Sequence, residues 1–250
     1  QATPGGALFV PRAGSVLTIP LQTLLPDAPR EGLVLNLAEL RLYYYPPGKN
    51  EVTVYPIGIG QLGGDTITPT MVTTVSDKRA NPTWTPTANI RARYKAMGID
   101  LPAVMPAGPD NPMGHHAIRL AAYGGVYLLH GTNADFGIGM RVSSGCIRLR
   151  DDDIKALYNE ITPGTKVTII NTPIKVSVEP NGIRLVEVHQ PLSKHIDDDP
   201  QTLPIVLNDS MQTFKQAQLT DTEVMERAMT LRSGMPIDVT RHHRVTEQSL

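Results

Sequence analysis

Between Leu33 and Asn171 the hydrophobic residues come mostly in short runs broken by turn residues, which is the rhythm of strands. Leu33-Val34-Leu35-Asn36-Leu37 and Leu40-Arg41-Leu42-Tyr43-Tyr44-Tyr45 read as a strand pair, closed by Pro46-Pro47-Gly48. Glu51–Ile59 and Met71–Ser76 continue the strand run, with turn signals at Gly60–Asp65 and Lys78–Pro82. Ala117–Leu120, Val126–His130 and Thr165–Asn171 complete it. The run at Val126 stays almost wholly apolar until it ends on His130-Gly131, and a polar ending to a buried strand is where catalytic groups often emerge.

A helical rhythm appears in few places. Ile154, Leu157, Tyr158 and Ile161 fall at i, i+3, i+4 and i+7 behind Asp151-Asp152-Asp153, which predicts a helix over Asp151–Ile161 with aspartates capping its start. Pro163-Gly164 stops it. Asn89–Met97 is also helix-like, with an Asn cap and Gly98 at its end. Residues 98–115 hold four prolines and three glycines, too many for a regular element, and a loop of that length in a compact domain is functional or disordered. From about 173 the pattern changes. A hairpin, Ile174–Glu179 and Ile183–His189, turns at Pro180-Asn181-Gly182, and two helices follow the acidic loop Asp197–Pro200, at Met211–Leu219 and Thr222–Ser233. The Pro- and Gly-rich opening reads as a linker or the end of an upstream module. The expected divisions are 1–30, 31–172 for the β-rich body, and 173–250 for an appended subdomain.

Composition narrows the function. With 250 residues the chain can form one large domain or two small ones. No apolar run approaches the roughly 18–20 residues of a membrane span. A net charge of −1 without a Lys/Arg block argues against nucleic-acid or anionic-membrane partners. There is one cysteine, Cys146, so an internal disulfide and a thiolate-rich metal site are both excluded. Gln1 in place of Met, with no signal-type segment behind it, fits either a processed chain or a fragment.

The chemistry concentrates between His130 and Arg148. Cys146 follows His130 by sixteen positions, inside Ser143-Ser144-Gly145-Cys146-Ile147-Arg148. A cysteine becomes a nucleophile when a neighbouring base or cation favours its thiolate, and an imidazole is the usual neighbour. Glycine at 145 permits close approach to a substrate, and backbone N–H groups near Gly145 and Cys146 can form an oxyanion hole. In an extended Cys146-Ile147-Arg148, the thiol and the guanidinium share a side. A lone cysteine also fits as an inert buried hydrophobe and a strand-end histidine as a structural one, and the residues alone leave both readings open. His115-His116 with His130 do not make a credible metal site, since adjacent histidines on a strand point apart and no carboxylate sits at ligand spacing. His242-His243 lie in a basic tail and read as solvated.

His130-Gly-Thr-Asn followed by Ser143-Ser-Gly-Cys-Ile-Arg-Leu and an Asp-led helix resembles the signature of the L,D-transpeptidase (YkuD-like) catalytic domain. Pro106–Gly114 and Ala117–Leu120 match that family's run-in, and the likeness spans about 33–171. Val10–Pro20 resembles the end of a LysM peptidoglycan-binding module, and the C-terminal segment resembles that of Gram-negative periplasmic members. The resemblance implies a mostly β fold, with a β-sandwich-like catalytic body, short helices and a small α+β C-terminal subdomain. It implies Cys146 as nucleophile and His130 as base, oriented by the Gly131 carbonyl. Ser143, Ser144 and Gly145 would shape the oxyanion hole; Arg148, Thr132 and Asn133 would meet substrate. Many members carry a histidine where this chain has Ser144, so that position's role does not transfer.

By the same resemblance, the reaction is acyl transfer without metal or cofactor. The donor is a peptidoglycan tetrapeptide stem, attacked at the meso-diaminopimelate carbonyl with loss of D-alanine. The acceptor is the C-terminal lysine of an outer-membrane lipoprotein, and the compartment is the periplasm. The alternatives are a second stem as acceptor (a 3→3 cross-link), a sortase-like transpeptidase, and a non-catalytic wall-binding domain.

Overall fold

The computed structural model describes residues 13–16, 18–63 and 66–241. The His242-His243 pair, residues 64–65 of the first turn signal, and Val10–Arg12 and Leu17 of the Val10–Pro20 stretch lie outside them. The chain forms two units, Ala28–Asn171 with Lys194–Ile196, and Gln1–Asp27 with Thr172–Ser193 and Asp197–Leu250.

The first unit is mostly β. Its elements are β1 (Gly32–Asn36), β2 (Arg41–Tyr45), β3 (Thr53–Pro56), β4 (Ile59–Gly60), β5 (Met71–Ala80), α1 (Ala88–Ala96), β6 (His116–Leu120), β7 (Leu128–His130), β8 (Arg141–Ser143), β9 (Ile147–Arg148), α2 (Asp151–Glu160) and β10 (Lys166–Ile170). One curled eight-stranded sheet runs β3-β2-β1-β10-β5-β6-β7-β9, and β4 pairs with β8 beside it. β1 is antiparallel to β2 and parallel to β10, so it lies inside the sheet, and Leu33, Val34 and Leu35 are all buried. The far end of the order ends in a second parallel pair, β7 with β9. α2 packs on β6 and β7 and buries Ile154 and Leu157.

Several boundaries differ from the sequence expectation, each for a local reason. β5 runs through Ala80 past the expected turn at Lys78, because its second half pairs with β6 and the Lys78 ammonium donates to the carbonyls of Tyr158, in α2's last turn, and of Ile161, which caps it. Thr87, not Asn89, caps α1, its hydroxyl accepting from Ile90 N–H at 3.3 Å. Arg150 holds the cap position of α2 without a side-chain hydrogen bond, and the aspartates sit in the first turn, where they complement the helix dipole. The strand expected from Val126 begins only at Leu128. Tyr123, Gly124 and Gly125 each adopt positive φ, and that turn consumes the start of the apolar run.

The second unit is a three-stranded antiparallel sheet, β11 (Ile174–Val178), β12 (Arg184–Val188) and β13 (Pro236–Asp238), with α3 (Asp209–Gln216) and α4 (Thr222–Leu231). Ile174, Val186, Val188, Met211, Phe214 and Met225 form its core. β13 was not anticipated, because three residues carry no periodicity. Within that unit Lys175 and Glu187 face each other across β11 and β12, fully buried, with Nζ and Oε1 2.9 Å apart. Leu24 of the opening stretch is tied into this unit: its N–H donates to Glu187 Oε2 at 2.8 Å, and Lys175 donates to its carbonyl at 2.7 Å. His189 Nε2 lies 2.7 Å from Glu187 Oε1. Burial alone would push the Glu187 carboxyl up, but its bonds to His189, Lys175 and the Leu24 amide outweigh burial and hold it at about 2.

A carboxyl held below its ordinary 4.5 stabilises the folded unit above that pH, and the contribution is lost as pH falls from there toward 2. Removing the partner cation leaves a buried charge uncompensated. Lys175→Met should therefore cost about 3–5 kcal/mol in denaturant unfolding. A loss below about 1 kcal/mol would contradict this role.

Candidate active site

Strand register assembles the site. In β6 and β7, Ala117 lies opposite His130 and Arg119 opposite Leu128; in β7 and β9, Leu129 pairs with Ile147 and His130 with Arg148. Paired residues share a face and successive residues alternate. His130 and Arg148 therefore stand on one face, while Leu129 and Ile147 stand on the other and are fully buried. Cys146, one step before Ile147, returns to the His130 face beside Leu128. Its thiol is hydrogen-bonded by the Leu128 backbone amide and lies 3.8 Å from the Val126 carbonyl. Two residues sixteen apart in sequence thus become diagonal neighbours on adjoining strands.

Two hydroxyls fix the turn before the cysteine. Ser143, buried, accepts from Gly145 N–H at 3.1 Å and donates to the Cys146 carbonyl. Thr68 accepts from Gly60 N–H at 2.9 Å and donates to the Gly145 carbonyl at 2.8 Å. Gly145 has φ +108°, and a Cβ there would lie 3.2 Å from the Tyr127 ring, so only glycine suits the position. Gly131 is required for space: a Cβ would lie 2.3 Å from the Asp151 carboxylate. That carboxylate instead receives the His115 N–H at 2.9 Å and the His115 ring, tying the end of the 98–115 loop to the start of α2.

The electrostatics follow from burial. His130 Nδ1 donates to the Gly131 carbonyl at 2.6 Å, which leaves Nε2 as the lone-pair nitrogen. Desolvation brings the imidazole down to about 4; the Gly131 hydrogen bond opposes that shift and the Arg148 charge reinforces it. Burial pushes the Cys146 thiol up, against the Leu128 amide and the charges of Arg148 and Arg119. Burial therefore favours the uncharged form of both groups. Arg148 is half-buried, and its Nε has no hydrogen-bond partner among the described residues.

Other expected site residues take different places. Thr132 is buried and its hydroxyl accepts from Ala134 N–H at 3.1 Å, which holds its own turn. Asn133 is exposed. The Ser144 hydroxyl lies 3.5 Å from Arg93 of α1, on the rim. The Gly145 N–H is engaged by Ser143 and is not a free oxyanion donor. Thr68, Tyr127 and Arg119 were missed. Thr68 acts 77 positions from Gly145, and no local pattern marks it.

The L,D-transpeptidase catalytic domain (YkuD) matches residues 30–169, and the L,D-transpeptidase C-terminal domain matches 173–239. The chain belongs to the L,D-transpeptidase family. It is 82% identical over 250 residues to the probable L,D-transpeptidase YcfS of Escherichia coli, covering all of this chain and 78% of that one. It is 51% identical over 239 residues to the probable L,D-transpeptidase YbiS of the same organism, covering 95% and 77%. Among solved structures, an L,D-transpeptidase from Mycobacterium smegmatis aligns at 22% identity and a TM-score of 0.39, over 55% of this chain and 57% of that one. In this L,D-transpeptidase the candidate residues lie wholly within the region matched by the catalytic domain.

The tautomer and the depressed basicity are directly observable. The His130 ring should stay neutral through neutral pH and titrate at about 4 by NMR. A midpoint near its ordinary 6.5 would contradict the desolvated site.

Proposed function

We propose that the protein breaks and remakes an amide bond at Cys146 through a thioester, with the peptidoglycan tetrapeptide stem as donor. The observation that carries this is the placement of the chain's one thiol diagonally from a buried imidazole with a free Nε2. As Sγ attacks the diaminopimelate carbonyl carbon, Nε2 takes the thiol proton. The tetrahedral oxyanion is received by the Cys146 N–H, because the Gly145 N–H is already bonded to Ser143. The C–N bond to D-alanine then breaks, and His130 returns the proton to the leaving amine. Arg148, paired with His130 across the strands, grips the terminal carboxylate of the departing residue with its guanidinium.

The second half runs in reverse. An acceptor amine attacks the thioester and loses its proton to His130; the C–S bond breaks, and the thiol recovers that proton. One amide replaces another, so the donor's bond energy is kept and no ATP is required. The acceptor in this reading is the C-terminal lysine of an outer-membrane lipoprotein, which places the reaction in the periplasm and makes the enzyme an anchoring one. A compartment that oxidises thiols suits an enzyme with a single cysteine. No helix among the described residues is long and apolar enough to cross a membrane.

A carbapenem should add one acyl group to the wild-type protein, seen by intact mass, and none to Cys146→Ala. Offered a tetrapeptide donor with both a lysine-ended peptide and a second stem, the enzyme should form the lysine product, and Cys146→Ala should lose at least ~10³-fold of it. Exclusive 3→3 dimers would overturn the lipoprotein acceptor, and an unchanged adduct on Cys146→Ala would overturn the nucleophile.

A further inference from the structure

The face that carries Cys146 continues across the sheet. Leu128 lies beside Cys146, Arg119 lies opposite Leu128, and Asp77 lies opposite Arg119, so one row crosses β9, β7, β6 and β5. Arg79 stands two positions along β5 and lies opposite Ala117. Asp77, Arg79, Ala117, Arg119 and Leu128 line one pocket. Arg119 is pinned in it: its Nη1 donates to the Gly125 carbonyl at 2.6 Å, and its stem runs so close over Gly125 that a Cβ there would lie 3.0 Å from Cδ. Asp77 uses Oδ2 on Arg79 Nε at 3.0 Å. Anionic and cationic groups thus stand together at the end of a row that begins at the nucleophile, and the mechanism above uses none of them.

On the transpeptidase reading above, we infer that this pocket is the specificity subsite for the donor's side-chain end, and that the end is amphoteric, with an ammonium and a carboxylate on one carbon. The spare N–H groups of Arg119 take the carboxylate, assisted by Arg79, and Asp77 takes the ammonium. The span fits. β6 and β9 are two strand spacings apart, about 9–10 Å. The diaminopimelate side chain extends about 6–7 Å beyond the attacked carbonyl, and the remaining distance is within the length of an arginine side chain. A lysine side chain in the same place offers the ammonium and leaves the Arg119 guanidinium without its anion. The subsite therefore discriminates by a missing carboxylate, the kind of difference that binding separates strongly.

The test separates the subsite from the chemistry. In a Cys146→Ala background, the affinities for a diaminopimelate tetrapeptide, its side-chain-amidated form and the lysine tetrapeptide are measured by calorimetry, with and without Arg119→Gln. The first should bind at least about tenfold more tightly than the other two, and Arg119→Gln should bring all three together. Asp77→Asn should weaken the diaminopimelate peptide and the lysine peptide alike. In the wild-type background, Arg119→Gln should raise KM for the diaminopimelate donor far more than for the lysine donor. Equal affinities before the substitution, or a preference that survives Arg119→Gln, would overturn the subsite. Failure of the nucleophile would show separately, as turnover that persists in Cys146→Ala.

Discussion

The parallel pairing of β7 with β9 is the constraint on which the site depends. It sets His130 against Arg148 and, one step back, Leu128 against the thiol. A slip of one residue would turn Cys146 and Arg148 to the opposite face, toward the core that holds Leu129 and Ile147. β9 spans only Ile147–Arg148, too short to fix its own register. The register is held from outside: Gly58 exchanges both backbone hydrogen bonds with Arg148, at 2.8 and 2.9 Å, and Thr68 and Ser143 clamp the turn just before it. Gly58 tolerates no side chain, since a Cβ would lie 2.4 Å from the Gly137 carbonyl.

The same packing sets the acid–base chemistry. Closing β6, β7 and β9 around His130 removes water from the ring, and desolvation outweighs the Gly131 hydrogen bond that would favour its cation. The thiol is pushed in the neutral direction for the same reason. A buried ion pair would have to offset two desolvation penalties, whereas in the proposed reaction a neutral pair stores the proton until a substrate carbonyl arrives to take the developing charge. In the proposed reaction the nearby arginines act chiefly on what binds: Arg148 on a terminal carboxylate, and Arg119 further along the row.

The motif was legible because its chemistry is local. Ser143-Ser-Gly-Cys-Ile-Arg and His130-Gly-Thr-Asn name the residue types, and the long apolar runs of β1, β2 and α2 name the elements that carry them. What the sequence did not reveal acts at long range. Thr68 and Gly58 reach the site through backbone pairing, and the buried Lys175–Glu187 pair looks in sequence like two ordinary alternating polar positions of an exposed strand face. Thr132 is a local case. A hydroxyl beside a candidate catalytic histidine suggests substrate, and in the fold it closes a turn on Ala134.

The central claim is that Cys146 rests as a thiol beside a neutral imidazole. Ultraviolet difference absorbance of the thiolate, followed against pH in wild type and Cys146→Ser, measures this directly. The account predicts no thiolate signal at neutral pH and its appearance only above the ordinary 9.0 of a free thiol. A thiolate band at neutral pH that disappears in both Cys146→Ser and His130→Gln would contradict it.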